Sequence, residues 1–287
     1  MILPLYGLLL SMPAGFFWLW YVYRKSLFHP PPILLVAAAF ICGMFSTAGV
    51  IFISEGVEAI APGVRVLGQT PRLYAQGFYY IVMVGFVEEL CKMLSVRLTV
   101  YYSPRFDDAV HGVIFSSAAA LGFATIENAR YVDVHGTEVL LGRYIMSTFG
   151  HVLLSMIWGF AMGVEKTAHA GRSVLISGLL LAAFMHGLYD LLLVYDQMWL
   201  ALLLLFVLWR VFVGQIDAVA RESPHRPRLS RRVRECAACH AVVRGEGMFC
   251  GACGRAMPGE GAGFCALCLK SVDPADRVCP HCAALIP

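Results

Sequence analysis

Residues 174–195 read VLISGLLLAAFMHGLYDLLLVY, an apolar run that nevertheless holds a histidine and an acid, His186 and Asp190. A helix needs roughly 20 apolar residues to cross the hydrocarbon core of a bilayer, and this run is long enough. In a helix the four-residue spacing puts His186 and Asp190 on one face. Lipid is a costly neighbour for such groups, so that face should look into protein. Working outward, six more apolar runs qualify as spans: Leu3–Tyr23, Ile33–Ser54, Tyr74–Val100, Ala109–Asn128, Leu141–Val164 and Trp199–Gly214. The expectation is an all-α polytopic membrane helix bundle of about seven transmembrane helices over residues 1–214. Composition agrees: of 287 residues, 59% are hydrophobic and 14% charged, which excludes an ordinary soluble domain. The first run has no positive n-region and is followed by Arg24 and Lys25, so it reads as a membrane helix and not a cleaved leader.

Charge in the connecting loops sets an expected orientation. With the N-terminus outside, the inner connections hold Arg24, Lys25, Arg105, Lys166 and Arg172, followed by Arg221, Arg226, Arg228, Arg231, Arg232 and Arg234. The outer connections and adjoining span ends hold Arg65, Arg72, Arg130 and Arg143. The arginine block falls in a basic polar linker, residues 215–235, and leads into a cytosolic tail. Such a block also suits anionic lipid headgroups.

The tail, residues 236–287, carries four CxxC pairs: Cys236 and Cys239, Cys250 and Cys253, Cys265 and Cys268, Cys279 and Cys282. Each pair presents two thiolates, and two pairs complete a closed tetrahedral zinc site. Sequential pairing gives two structural Zn2+ sites, with His240 and His281 beside ligands but not needed as ligands. In a reducing compartment this spacing favours metal over disulfides. Cys42 and Cys91, alone in apolar runs, read as small buried hydrophobes. The tail resembles a double zinc ribbon. That resemblance implies a docking module for a protein partner, and the lack of interleaved basic and aromatic residues argues against nucleic acid.

The spans also carry ionisable residues that lipid would penalise. Glu88, Glu89 and Lys92 share a helix face in the third run, Glu127 and Asn128 end the fourth, His151 lies in the fifth, and His186 and Asp190 lie in the sixth. Each set has a bland reading as an ion pair, a helix cap or a packing hydrogen bond. Together they point to one interior polar cavity, since each would otherwise need its own compensation for desolvation. Asp107 and Asp108 precede the fourth run as turn residues or further site groups.

The ordered set Glu88-Glu89-Leu-Cys-Lys92, Phe123-Ala-Thr-Ile-Glu127-Asn128, His151 and His186-Gly-Leu-Tyr-Asp190 resembles the PrsW family of intramembrane proteases, relatives of the CAAX-type membrane proteases, over about residues 74–195. The stretch Asp107 to Gly112 resembles the family's acidic segment, with His111 where another acid is expected. The resemblance implies hydrolysis of a membrane-bound protein substrate, such as an anti-sigma factor, in a bacterial cell membrane. Glu88 or Glu89 would activate water, with Glu88 slightly favoured and Lys92 holding the neighbouring carboxylate charged. His151 and His186 would polarise the carbonyl or donate a proton, Asn128 would donate to the oxyanion, and Asp190 would orient His186. Two chemistries remain open: a metal-free glutamate mechanism, and a catalytic Zn2+ on His151, His186 and one glutamate. No HExxH spacing calls for metal, which favours the first. The rival functions are a proton-coupled transporter, which also needs buried ionisable groups, and a non-catalytic membrane scaffold.

Overall fold

The computed structural model describes residues 5–26, 29–223 and 225, and in the tail 233–236, 238–244, 250, 252–255, 263–264, 268, 271–272, 278–282 and 284. Among the described residues ten α-helices follow in order: α1 (Leu5–Tyr23), α2 (Ile33–Ile60), α3 (Val64–Leu67), α4 (Leu73–Phe78), α5 (Val87–Thr99), α6 (Ala109–His135), α7 (Leu140–Gly142), α8 (Thr148–Thr167), α9 (Arg172–Val194) and α10 (Met198–Glu222). Two π-helical segments, Tyr79–Phe86 and Arg143–Ser147, join α4 to α5 and α7 to α8 without a break. Five helical runs among the described residues are long and apolar enough to cross a membrane: Ile33–Ile60, Ala109–His135, Thr137–Thr167, Arg172–Val194 and Met198–Val219. The other two expected spans are α1, a helix of 19 residues with Pro13 inside it, and the continuous run from Leu73 to Thr99. Glu88, Glu89, Lys92 and Arg97 all lie in that run. Helix α10 continues to Glu222, past Gly214 where the sequence reading ended the span, so the first part of the expected linker is helix.

Helix α6 sits at the centre, buried along nearly its whole length, because small residues recur along it and let neighbours close in. A Cβ placed on Gly112 would lie 2.2 Å from the Gly159 carbonyl oxygen of α8, and one on Gly43 of α2 would lie 2.1 Å from the Ala119 carbonyl oxygen. Asp108 caps the start of α6, its carboxylate accepting from the Val110 N–H at 3.0 Å. Gly136, at φ 84°, ends it, and its N–H returns to the Val132 carbonyl. Around α6 the core is filled by Phe40, Ile114, Phe115, Leu121, Trp158, Met162 and Leu205. At the end of the bundle that holds the Arg105 and Lys166 connections, Arg97 donates to Glu165 at 2.6 Å, tying α5 to α8.

One further contact sets the site. The first π segment lies directly on α9: a Cβ on Gly85 would be 2.4 Å from the Ala183 carbonyl oxygen, and one on Gly187 would be 2.4 Å from Ile81 Cα. Two glycines thus let the backbone just before Glu88 meet the backbone just after His186.

The chain divides into two compact units, Met1–Pro224 and His225–Pro287. Within the second, β1 (Val233–Glu235) pairs antiparallel with β2 (Val242–Arg244), and β3 (Gly263–Phe264) with β4 (Ser271–Val272).

Candidate active site

Four helical runs bring the polar residues together. Helix α5 supplies Glu88, Glu89 and Lys92; α6 supplies Glu127 and Asn128; α8 supplies His151; α9 supplies His186 and Asp190. Lys92 is fully buried and lies at the hub. Its Nζ donates to Glu88 Oε2 at 3.1 Å and Glu89 Oε1 at 2.9 Å, and lies 3.1 Å from His151 Nδ1. An ammonium can only donate, so His151 Nδ1 accepts there. His151 Nε2 then faces Glu127 Oε2 at 2.9 Å.

The two adjacent glutamates differ sharply in their surroundings. Glu89 is fully buried, and its oxygens meet four donors: Lys92, Ser155 at 2.6 Å, Trp158 Nε1 at 2.8 Å, and His186 Nδ1 at 2.8 Å. Glu88 has Lys92 as its hydrogen-bond partner and lines an open cavity of about 410 Å3. Glu127, Arg143, His151, His186 and Asp190 line the same cavity. His186 Nε2 stands 3.7 Å from Glu88 Oε2 and 3.8 Å from Asp190 Oδ2, beyond hydrogen-bond reach of either. Glu89, not Asp190, therefore orients the His186 ring, because one turn of helix leaves the Asp190 carboxylate too far from it.

Asn128 also differs from expectation. It is buried between α6 and α8, where its Nδ2 donates to Thr148 Oγ1 at 2.9 Å and its Oδ1 accepts from Arg143 Nε at 2.6 Å. It does not line the cavity, so it braces the wall instead of facing a reacting group. Arg143 is a site residue that sequence reasoning counted only as a loop charge. Its guanidinium pairs with Glu127, donates to Ser147 at 2.9 Å, and lies 3.6 Å from the centre of the Tyr131 ring. No local motif announces it, since Glu127 is 16 residues away across a turn. Asp107 and Asp108 lie at the other end of α6 and do not join this cavity.

A carboxylate oxygen of Glu88 and one ring nitrogen each of His151 and His186 lie within 4.8 Å of one another. In the tail, Cys236, Cys239, Cys250 and Cys253 form one thiol cluster, and Cys268, Cys279 and Cys282 form a second. Cys265, the expected fourth member of that second cluster, lies outside the described residues. Sulfur separations are 3.6 Å for Cys236–Cys253, 3.7 Å for Cys239–Cys250 and 3.7 Å for Cys268–Cys279. A tetrahedron with Zn–S bonds of ~2.3 Å has edges of roughly 3.8 Å, so the spacing suits metal, while a disulfide would need about 2.05 Å. Backbone N–H groups of Ala238 and Cys239 aimed at Cys236 lower its thiol pKa to about 6, favouring the thiolate that binds metal.

Comparison with known proteins gives the same direction. The family described as "PrsW family intramembrane metalloprotease" matches residues 31–215. "Protease PrsW" of Geobacillus kaustophilus is 31% identical over 212 residues, covering 70% of this chain and 88% of that protein. "Protease PrsW" of Bacillus subtilis is 26% identical over 198 residues, covering 68% and 85%. "Protease PrsW" of Clostridioides difficile is 24% identical over 220 residues, covering 73% and 88%. No solved structure matches the chain. An integral membrane bundle, an interior cluster of glutamates and histidines, and a match over residues 31–215 together mean that the chain belongs to the PrsW family of intramembrane metalloproteases.

Proposed function

We propose that the cavity bounded by Glu88, His151 and His186 is where this membrane protease hydrolyses peptide bonds of membrane-bound protein substrates. The observation that carries the proposal is the convergence of those three side chains, from three different helices, within 4.8 Å on one open cavity. Glu88 is the group suited to draw a proton from water, since it faces the cavity while the oxygens of Glu89 are occupied by four donors. The Lys92 ammonium keeps Glu88 aimed, and Glu127 holds the His151 ring from its other side. With Nδ1 against Glu89, His186 turns Nε2 toward the cavity, where it can pass a proton to the departing amine.

The family description implies a metal ion, and Glu88, His151 and His186 are the right residue types for one, but both ring nitrogens of His151 are engaged, by Lys92 and Glu127, and Lys92 also holds a Glu88 oxygen. Two imidazoles and a carboxylate are the donor set of catalytic zinc with an open position. A carboxylate behind a ligating histidine, as Glu89 lies behind His186, is the usual second layer. Glu88, His151 and His186 would hold the ion once Lys92 or Glu127 released a His151 nitrogen; the ion would supply Lewis acidity toward water and the carbonyl, and Glu88 and His186 would then serve as ligands in place of the base and acid roles given above. A second reading is metal-free general-base catalysis by Glu88. It is favoured by the Lys92 ammonium, which already places a positive charge 3.1 Å from both Glu88 and His151.

The substrate class is a membrane-bound regulator such as an anti-sigma factor, a reading that rests on family resemblance. The setting is a bacterial cell membrane, with the tail cytoplasmic and its zinc ribbons acting in docking or regulation. The cavity is built from the ends of the helices opposite the Arg24, Arg105 and Lys166 connections. With those basic connections in the cytosol, cleavage takes place toward the outer half of the bilayer.

The test is metal content and cleavage measured on the same preparation, truncated after Pro224 and supplied with single-span membrane reporter proteins. One tightly held zinc per chain, lost together with cleavage in His186→Ala, supports the metal-dependent form. Full cleavage by metal-free protein selects the Glu88 mechanism. Cleavage retained in both His151→Ala and His186→Ala sinks the assignment of the site.

A further inference from the structure

One polar group at the cavity is used by none of the contacts described. Tyr189 lies on α9 between His186 and Asp190, is 4% exposed, and contributes to the cavity wall. Its hydroxyl is buried and has no hydrogen-bond partner among the described residues. Its ring packs beside α8: a Cβ on Gly150, one residue from His151, would lie at ordinary contact distance, 3.6 Å, from Cε1 and Cζ. A buried hydroxyl left unsatisfied is destabilising, and nearly all buried polar groups in folded proteins have partners. An orphan of this kind at the wall of a reactive cavity calls for an explanation.

We propose that Tyr189 contacts the substrate, its hydroxyl donating a hydrogen bond to the carbonyl oxygen of the peptide bond being cleaved. This inference rests on the hydrolytic reading of the cavity. A peptide segment unwound inside a membrane protein has backbone carbonyls that lipid cannot satisfy. Attack on the carbonyl carbon drives negative charge onto its oxygen, and a preset donor at that point stabilises the transition state. Several of the other donors nearby are committed. Asn128 donates to Thr148, Arg143 to Glu127, Asn128 and Ser147, and Lys92 to Glu88 and Glu89. Ser155 and Trp158 both donate to Glu89. Tyr79, Tyr80 and Tyr131 also line the cavity, but the first two are half-buried and Tyr131 is exposed, so an idle hydroxyl there has no comparable cost. Tyr189 keeps its proton throughout, so no covalent step is assigned to it.

The test compares full-length wild type, Tyr189→Phe and Glu88→Gln in proteoliposomes, using the single-span reporter that wild type cleaves fastest, with thermal unfolding measured on each protein. For Tyr189→Phe the expected result is a fall in kcat on the order of 10- to 100-fold, a smaller change in KM, and a thermal midpoint equal to or above wild type. Removing a hydroxyl that has no partner removes no intramolecular contact, so a structural role would not give that combination. Wild-type kcat in Tyr189→Phe alongside an inactive Glu88→Gln overturns the Tyr189 assignment and leaves the hydrolytic site standing. Loss of cleavage accompanied by a lowered midpoint also overturns it, because the hydroxyl would then be supporting the fold. Full activity in Glu88→Gln brings down the underlying reading of the cavity instead.

Discussion

Gly187→Ala is the sharpest test of how the fold builds the site. A Cβ at that position would stand 2.4 Å from Ile81 Cα, 2.6 Å from Ile81 N and 2.6 Å from the Tyr80 carbonyl oxygen. Carbon atoms in contact prefer roughly 3.5–4.0 Å, and all three neighbours are backbone, which cannot rotate aside. The π segment and α9 must therefore separate by about 1 Å, and Glu88 rides on that segment while His186 rides on α9. Overpacking of this sort costs about 1–3 kcal/mol, and a misplacement of about 1 Å at reacting groups costs on the order of 100-fold in rate. The expected phenotype is a thermal midpoint lowered by a few degrees with cleavage reduced about 100-fold, read by differential scanning fluorimetry and reporter cleavage. Gly214→Ala is the control, because a Cβ there meets nothing within 4 Å. That change should leave cleavage intact and leave stability equal or slightly raised, since alanine in a helix restricts the unfolded chain. Wild-type rate and midpoint in Gly187→Ala would refute the claim that this close approach sets the distance between Glu88 and His186.

Two other outcomes are expected. Glu89→Gln replaces two acceptor oxygens by one oxygen and an NH2 group, so about two of the four donors around it lose their acceptor. At about 1–3 kcal/mol for each orphaned group the variant should lose roughly 2–6 kcal/mol of stability, seen as a large drop in thermal midpoint. A midpoint unchanged from wild type would mean that Glu89 is not the buried anchor described. In the tail, Cys250→Ser should lower bound zinc by about one ion per chain by elemental analysis, while the membrane unit unfolds as in wild type. Unchanged zinc content would exclude Cys250 as a ligand.

The membrane class and the site-bearing helices were legible because both depend on local pattern. Apolar length marks a span, and a four-residue spacing marks a shared face, so Glu88 with Lys92 and His186 with Asp190 stood out. What the sequence hid depends on contacts between distant segments. Glu89 and Glu88 look equivalent in the chain, and Ser155, Trp158 and His186, 66, 69 and 97 residues from Glu89, separate their environments. Arg143 looks like a loop charge until the second π segment turns it onto Glu127 and Asn128. For the same reason Asn128, expected at the oxyanion, is taken up as a brace. Asp190 illustrates a different limit: sharing a helix face with His186 fixes direction but not reach, and 3.8 Å is too far for a hydrogen bond. Gly85 and Gly187 carry no chemistry and become meaningful only when α9 and the first π segment are seen in contact.

The most direct measurement is reporter cleavage by Glu88→Gln against wild type, at matched amounts of folded protein in the same lipid. Among the described residues Glu88 has only Lys92 as a hydrogen-bond partner, and it faces the cavity, so the amide should keep the fold, with a midpoint near that of wild type, and abolish cleavage. Cleavage at the wild-type rate by a properly folded Glu88→Gln protein would contradict the assignment of this cavity as the hydrolytic centre.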